Sequence, residues 1–269
     1  MKIDKEQLPE PEPEPEQSPI IKSIKTNNIF WISVVFSVMI ISYYTTGHSR
    51  DSYISGIYTY IFIAFWGYLM HYISHSFNFT EMYRTSTNFI LQKLHGIPTI
   101  NTIIETALLY SIDFHAQTHH DSSINRSPTN VIVEIVQNFL TQGALLVIFN
   151  KWVSPVVTFK GTDFTLYLNN SILFLWALFY ATVHNINYRI IEPLEHQNHH
   201  KDEYTNYGID IVDIILNTKY NTTHKKHEPI TIEDHNHATI NIIILYIIII
   251  YYLKGYFKTI MMKIMKSNG

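Results

Sequence analysis

The sequence predicts an all-α fold, a multi-pass membrane helical bundle of four to five spans with a cytoplasmic, histidine-rich helical cap. Three observations predict it. Five stretches are strongly apolar and near the length at which a helix crosses the roughly 30 Å hydrocarbon core of a bilayer. The chain of 269 residues holds 15 histidines, most of them in tight groups beside those stretches. It holds no cysteine. Disulfides, iron–sulfur clusters and zinc–thiolate fingers are thereby excluded, and any bound metal must be held by imidazole and carboxylate. A net charge of −3 without a large basic patch excludes nucleic acid as a partner.

Taken in order, the first element is the arm 1–27. Its "PEPEPEPE" composition cannot bury a core, so it is expected to be disordered. The domain proper is expected over 28–253. Its first span, Ile29 to Tyr44, follows Lys22 and Lys25, which favours a cytoplasmic N-terminus. It reads as an anchor rather than a secretory signal, because an acidic arm precedes it. The second span, Tyr53 to Met70, carries no charge. The third stretch, Val131 to Phe149, contains Glu134, Gln137, Asn138 and Gln142, so part of it is expected to lie on the surface. The fourth, Phe164 to Val183, is interrupted only by Asn169 and Asn170. The fifth, Ala238 to Leu253, is the most apolar, and its length favours a helix over a strand. A fifth crossing, however, would leave Lys254, Lys258, Lys263 and Lys266 of the basic tail 254–269 on the side that lysine avoids. Two arrangements avoid this: the fifth stretch is re-entrant or surface-packed, or the third does not cross.

The histidines follow this punctuation. "HYISH" (71–75) closes the second span, "HAQTHH" (115–120) lies between the second and third, His184 closes the fourth, and "HQNHH" (196–200) follows it. With alternating spans, all of these emerge on one face. His71 and His75, four apart, share a helix face, as do His196, His199 and His200. His119 and His120 are adjacent and diverge by about 100° on a helix, which suits two ions lying side by side. A single HxxxH is more often plain solvated surface, and one HxxHH can arise by chance, but three such groups on one face point to metal, for which neutral imidazole is the commonest ligand. His224 and His227, in "NTTHKKHEPI", read as a solvated loop; His48, His95, His235 and His237 read as structural. Among neighbouring acids, Asp113, Asp121, Glu192, Glu195 and Asp213 are candidates to orient an imidazole. Asp213, inside the apolar "IVDIIL", is the strongest, because an unpaired charge there would be expensive.

The order HxxxH, HxxxHH, HxxHH between spans resembles the fatty acid hydroxylase / sterol desaturase superfamily of integral-membrane di-iron enzymes. The resemblance covers about Phe62 to Thr218. It extends to "HNINYRIIEPLEHQNHH", with its lone histidine before the final box, and to "NYGIDIVDIILNT", where Asn206, Tyr207, Gly208, Asp213 and Thr218 match. The chain departs from the pattern in having three residues rather than two before the second HH pair, Val212 where tryptophan is usual, and Leu216 and Asn217 in place of Phe and Gly. The resemblance implies nine metal ligands: His71, His75, His115, His119, His120, His184, His196, His199 and His200. It implies two iron ions, with zinc an alternative occupant in purified protein, and O2 as co-substrate. The activity it implies is hydroxylation or desaturation of a membrane lipid, a fatty acyl chain or a sterol, in the endoplasmic reticulum or an equivalent internal membrane. No Gly-rich dinucleotide fingerprint is present, so electrons are expected from a separate donor, in the family cytochrome b5 and its reductase. The rival expectation is a non-catalytic membrane metal-binding or transport protein using the same histidines; a second is a degenerate scaffold.

Overall fold

The computed structural model describes residues 17–120, 127–153, 157–158, 164–191, 193–220 and nine scattered positions between 232 and 251. It is mostly helical. Three helices are long and apolar enough to cross a membrane: Asn28–Thr46, Arg50–Ser76 and Pro128–Asn150.

The arm is not featureless to residue 27, as its composition suggested. Pro19 opens helix α1, Pro19–Thr26, and Ser23 on it is fully buried. Proline suits a first helical turn, where its missing N–H has no intrahelical role, and the charge-dense part of the arm, 1–16, lies outside the described residues. Helix α2, Asn28–Thr46, follows at once. After Gly47, the Ser49 hydroxyl accepts from Ser52 N–H and caps α3, Arg50–Ser76. At 1.5 Å per residue its 27 residues extend about 40 Å, about 10 Å more than the hydrocarbon core. Helices α2 and α3 pack through small residues, Ser42 against Ser52 and Gly56, which lets two backbones approach where no bulky side chain intervenes. Outward they present Ile32, Phe36, Ile40, Ile57, Ile61 and Phe65.

Short helices α4 (Phe79–Arg84), α5 (Phe89–His95) and α6 (Pro98–Leu108) lead into two wide π-type turns, 109–113 and 115–119. Ser127 then caps α7, Pro128–Phe139, which runs through a further π turn, 140–144, into α8, Leu145–Val153. The expectation that part of this stretch lies on the surface is corrected: Glu134, Gln137, Asn138 and Gln142 are all buried. Its polar stripe turns inward to the bundle, and Ile132 and Ile148 turn outward.

Among the described residues the all-helical expectation has one exception, a two-residue antiparallel pairing of β1 (Val157–Thr158) with β2 (Thr165–Leu166). Helix α9 accordingly begins at Asn170 and ends at Thr182, because Asn169 caps it by accepting from the Ser171 and Ile172 N–H groups. A π turn, 183–187, continues it into α10, Tyr188–Ile191. Helix α11, Leu194–Lys201, carries the last histidine group, and α12, Asp210–Leu216, follows. Ile63, Leu173 and Trp176 centre an apolar core between α3 and α9, with Val38 from α2 and Leu146 from α8. The basic tail 254–269, His224, His227 and His237 fall outside the described residues, and the fifth stretch is described only at isolated positions.

Candidate metal centre

Four separate pieces of chain bring the nine histidines together. His71 and His75 lie on the last two turns of α3, His115 and His119 in a π turn with His120 just after it, His184 in the π turn after α9, and His196, His199 and His200 on α11. Each offers a nitrogen to at least one of three overlapping sets, whose members lie within 4.8 Å of one another: His71, His75, His115, His120 and His199; His115, His119 and His184; His119, His196 and His200. The adjacent pair diverges as helical geometry requires, His120 into the first set and His119 into the other two. The Nε2 atoms of His115 and His71 are 3.0 Å apart, of His200 and His196 3.0 Å, and of His200 and His119 3.1 Å. Two nitrogens with metal bonds of about 2.1 Å meeting near a right angle have this separation.

The rings are held from behind. A carbonyl oxygen can only accept, so His71 Nδ1 donates to Tyr207 C=O at 2.8 Å and His199 Nδ1 to Thr205 C=O at 2.6 Å. Both rings thereby turn an unprotonated Nε2 towards the cluster. His119 Nδ1 lies 2.6 Å from Glu134 Oε1, and His75 Nδ1 3.7 Å from Glu203 Oε2. Inside, Nε2 of His75, His120, His184 and His199 has no hydrogen-bond partner among the described residues, although each is buried. Burial, reinforced by neighbouring imidazoles, pushes the pKa of His115, His120 and His199 well below 6.5, so these rings are neutral at pH 7. Neutral, buried nitrogens crowded against one another, several without any partner among the described residues, are what a metal ion needs and what an apolar core avoids. The residues fit one or more metal ions.

Asp213 has a different role from the one its position suggests. Among the described residues it pairs with no imidazole. It accepts from the N–H groups of Tyr207 and Gly208, both at 2.9 Å, and from Thr218 Oγ1 at 2.8 Å. It therefore shapes the loop whose Tyr207 carbonyl orients His71. Asn206 in that loop adopts a left-handed φ of 53° and donates to Glu195 C=O. Asp113 likewise serves backbone, accepting from the Phe79 and Thr80 N–H groups. Asp121 and Glu192 lie outside the described residues.

Three residues escaped sequence reasoning. Glu134 carried a usable signal, since a carboxylate within an apolar span demands a partner. Lys219 and His235 carried none. Lys219 Nζ sits 2.5 Å from both Glu195 Oε1 and Asp210 Oδ1, and His235 Nε2 lies 2.7 Å from Glu195 Oε2. Ser23 of α1 donates to the remaining Asp210 oxygen. The ammonium fills the space that a cation would take, so this carboxylate cluster is a closed knot rather than a second metal site. It ties α11 and its histidines to α12, to α1 and to the segment containing His235.

A cavity of about 120 Å³ opens beside the histidines, with His71, His184 and His199 on one wall and Trp31, Trp176 and Phe179 on another. A second, of about 100 Å³, shares Trp176 and Phe179 with it and extends along α2 to Val38 and Ile41. Comparison with protein-family models, curated proteins and solved structures returned no match.

Proposed function

We propose that the chain is an integral-membrane lipid oxygenase whose nine imidazoles hold two iron ions. The observation that carries this reading is the convergence of nine histidines from four segments, with buried nitrogens that have no protein partner. A buried, unsatisfied polar atom costs about 1–3 kcal/mol, and several of them together persist only where something bound offsets that cost. His71, His75, His120 and His199 hold one ion; His119, His184, His196 and His200 hold the other, with His115 between the two sets. When bound, the irons supply reductive activation of O2 and oxidation of an unactivated C–H bond.

The chain does the remaining work. Glu134 and the carbonyls of Thr205 and Tyr207 fix Nδ1 of three ligands, which sets their tautomers and ring directions. The aromatic wall of the cavity receives an acyl chain or sterol and excludes water from the reacting carbon. Its continuation along α2 lets the lipid arrive sideways from the bilayer. Electrons come from an external donor such as cytochrome b5 with its reductase. The site faces the cytoplasm at the headgroup layer of an internal membrane, as the lysine bias near the N-terminus supports.

Cells expressing the intact protein or a His119→Ala/His120→Ala variant test the reading by lipid profile and by the iron content of the purified chain. Two irons per chain and an oxidised lipid that the variant lacks are the expected results. Identical profiles, with metal accumulation that depends on the histidines, overturn catalysis in favour of a metal carrier.

A further inference from the structure

The cavity beside the histidines carries two further polar atoms that the chain leaves unsatisfied. Gln142, 3% exposed, donates through Nε2 to Gly67 C=O at 3.4 Å, but its Oε1 has no partner among the described residues. Trp176, 9% exposed, has no acceptor there for its indole N–H. Both side chains line the same cavity as His71, His184 and His199. They also converge: from the point where a Cβ on Gly67 would stand, Gln142 Oε1 is 2.6 Å away and Trp176 Nε1 3.9 Å. A Cβ at Gly67 would collide with that oxygen, so the glycine is what lets the Gln142 amide lie against α3 on this side of the cavity.

Helices α3, α7–α8 and α9 meet here, the first two long and apolar enough to cross a membrane, and an orphaned, buried amide oxygen or N–H is costly there. One acceptor and one donor facing the same space are complemented by a group that donates and accepts through a single atom. A hydroxyl does this; a carboxylate or phosphate only accepts, an ammonium only donates, and a hydrocarbon does neither. We propose that Gln142 Oε1 and Trp176 Nε1 form a hydroxyl-binding subsite, so that the lipid taken by this cavity is an alcohol entering oxygen first. Gly67 precedes His71 by one helical turn, a rise of about 6 Å. The carbon presented to the histidines therefore lies a few bonds from the bound hydroxyl, and Gln142 and Trp176 determine specificity. What happens to the ligand rests on the oxygenase reading; its binding does not.

The test uses the full chain in lipid nanodiscs and a diazirine-bearing hexadecanol as photolabel, with 1-hexadecanol and hexadecyl methyl ether as competitors. The two competitors share a chain, but the ether has lost the donor. The alcohol is expected to compete about five- to tenfold more strongly than the ether, the worth of one buried hydrogen bond. Gln142→Met, which removes the whole amide at similar size, and Trp176→Phe, which removes the indole N–H with part of the ring, are expected to shrink that gap to about twofold with iron content unchanged. Gly67→Ala, whose Cβ would push Gln142 Oε1 away, should abolish it. Equal competition by alcohol and ether in the unaltered protein, as an ordered water in the gap would produce, overturns the proposal, and so does a gap that survives all three substitutions. An alcohol preference in a protein that binds no iron and alters no lipid sustains the subsite and overturns the oxygenase. An oxidised lipid without alcohol preference does the reverse.

Discussion

His119 Nδ1 and Glu134 Oε1 stand 2.6 Å apart with both side chains almost wholly buried. The carboxylate holds the imidazole in one orientation and raises the basicity of the nitrogen that faces the cluster. Glu134→Gln keeps the shape and removes the charge. Metal affinity, read by titrating iron into the metal-free protein, is expected to fall about 10- to 100-fold. Unchanged affinity would show that the pair only fills space.

Asp213 reaches the cluster through backbone, so its loss should loosen His71 without removing a ligand. Asp213→Asn replaces one carboxylate oxygen with an amide that cannot accept from the Tyr207 or Gly208 N–H groups. Thermal unfolding in detergent is expected to show a loss of about 1–3 kcal/mol, accompanied by weaker iron binding. A stability loss with iron affinity intact would detach the loop from the metal centre.

Gly143 lies at the kink between α7 and α8 with φ of 154°, and a Cβ there would meet Leu173 C=O at 2.8 Å. Both backbone strain and close approach to α9 oppose a side chain. Gly143→Ala is expected to destabilise the chain by about 1–3 kcal/mol, measured as a lower melting temperature. A variant as stable as the parent would mean that α8 and α9 separate freely.

The Lys219 ammonium pairs with two buried carboxylates, whose second charge His235 balances, and removing it leaves them under-compensated. Lys219→Met is expected to cost about 3–5 kcal/mol, the usual penalty for breaking a buried ion pair from one side. Adding Glu195→Gln and Asp210→Asn to that variant should restore much of the loss, since buried His235 then releases its proton and no charge stays unpaired. Failure of the triple variant to recover would make the lysine's packing, not its charge, the stabilising feature.

His235 is the group in this knot that gives stability a pH dependence. Burial opposes its charge, but Glu195 and Asp210 beside it push its pKa up to about 10 from 6.5. The folded chain thus holds a proton that the unfolded chain releases between these values. The stabilisation is fully present below pH 6.5 and is lost as pH rises towards 10, at up to about 1.4 kcal/mol per pH unit. Denaturant unfolding at pH 7 and pH 9, compared with His235→Asn, should show a steeper decline in the parent. Parallel curves would place a neutral imidazole at this position.

Hydropathy and histidine spacing together made most of the candidate site legible. An i, i+4 pair on α3 and an i, i+3, i+4 trio on α11 share faces by helical geometry alone, and the adjacent pair at 119–120 must diverge. Local chain geometry imposes these relations whatever surrounds them. The helical class, the apolar helices at 28–46 and 50–76, and the absence of any thiolate metal site follow in the same way from composition and period.

Only the tertiary structure decided which polar groups face one another. Whether Glu134 meets water or His119 depends on the rotation of α7 about its axis, which the packing of α9 and the kink at Gly143 set. That rotation turned a stripe expected at the surface into the inner wall. The knot of Lys219, Glu195, Asp210 and His235 joins residues up to 40 positions apart, through contacts that leave no periodic trace in the chain. Asp213 looked like a direct partner for an imidazole because its apolar neighbours demand a partner of some kind. Sequence states that demand, but the loop at Asn206–Gly208, closed by a left-handed asparagine, determines what satisfies it.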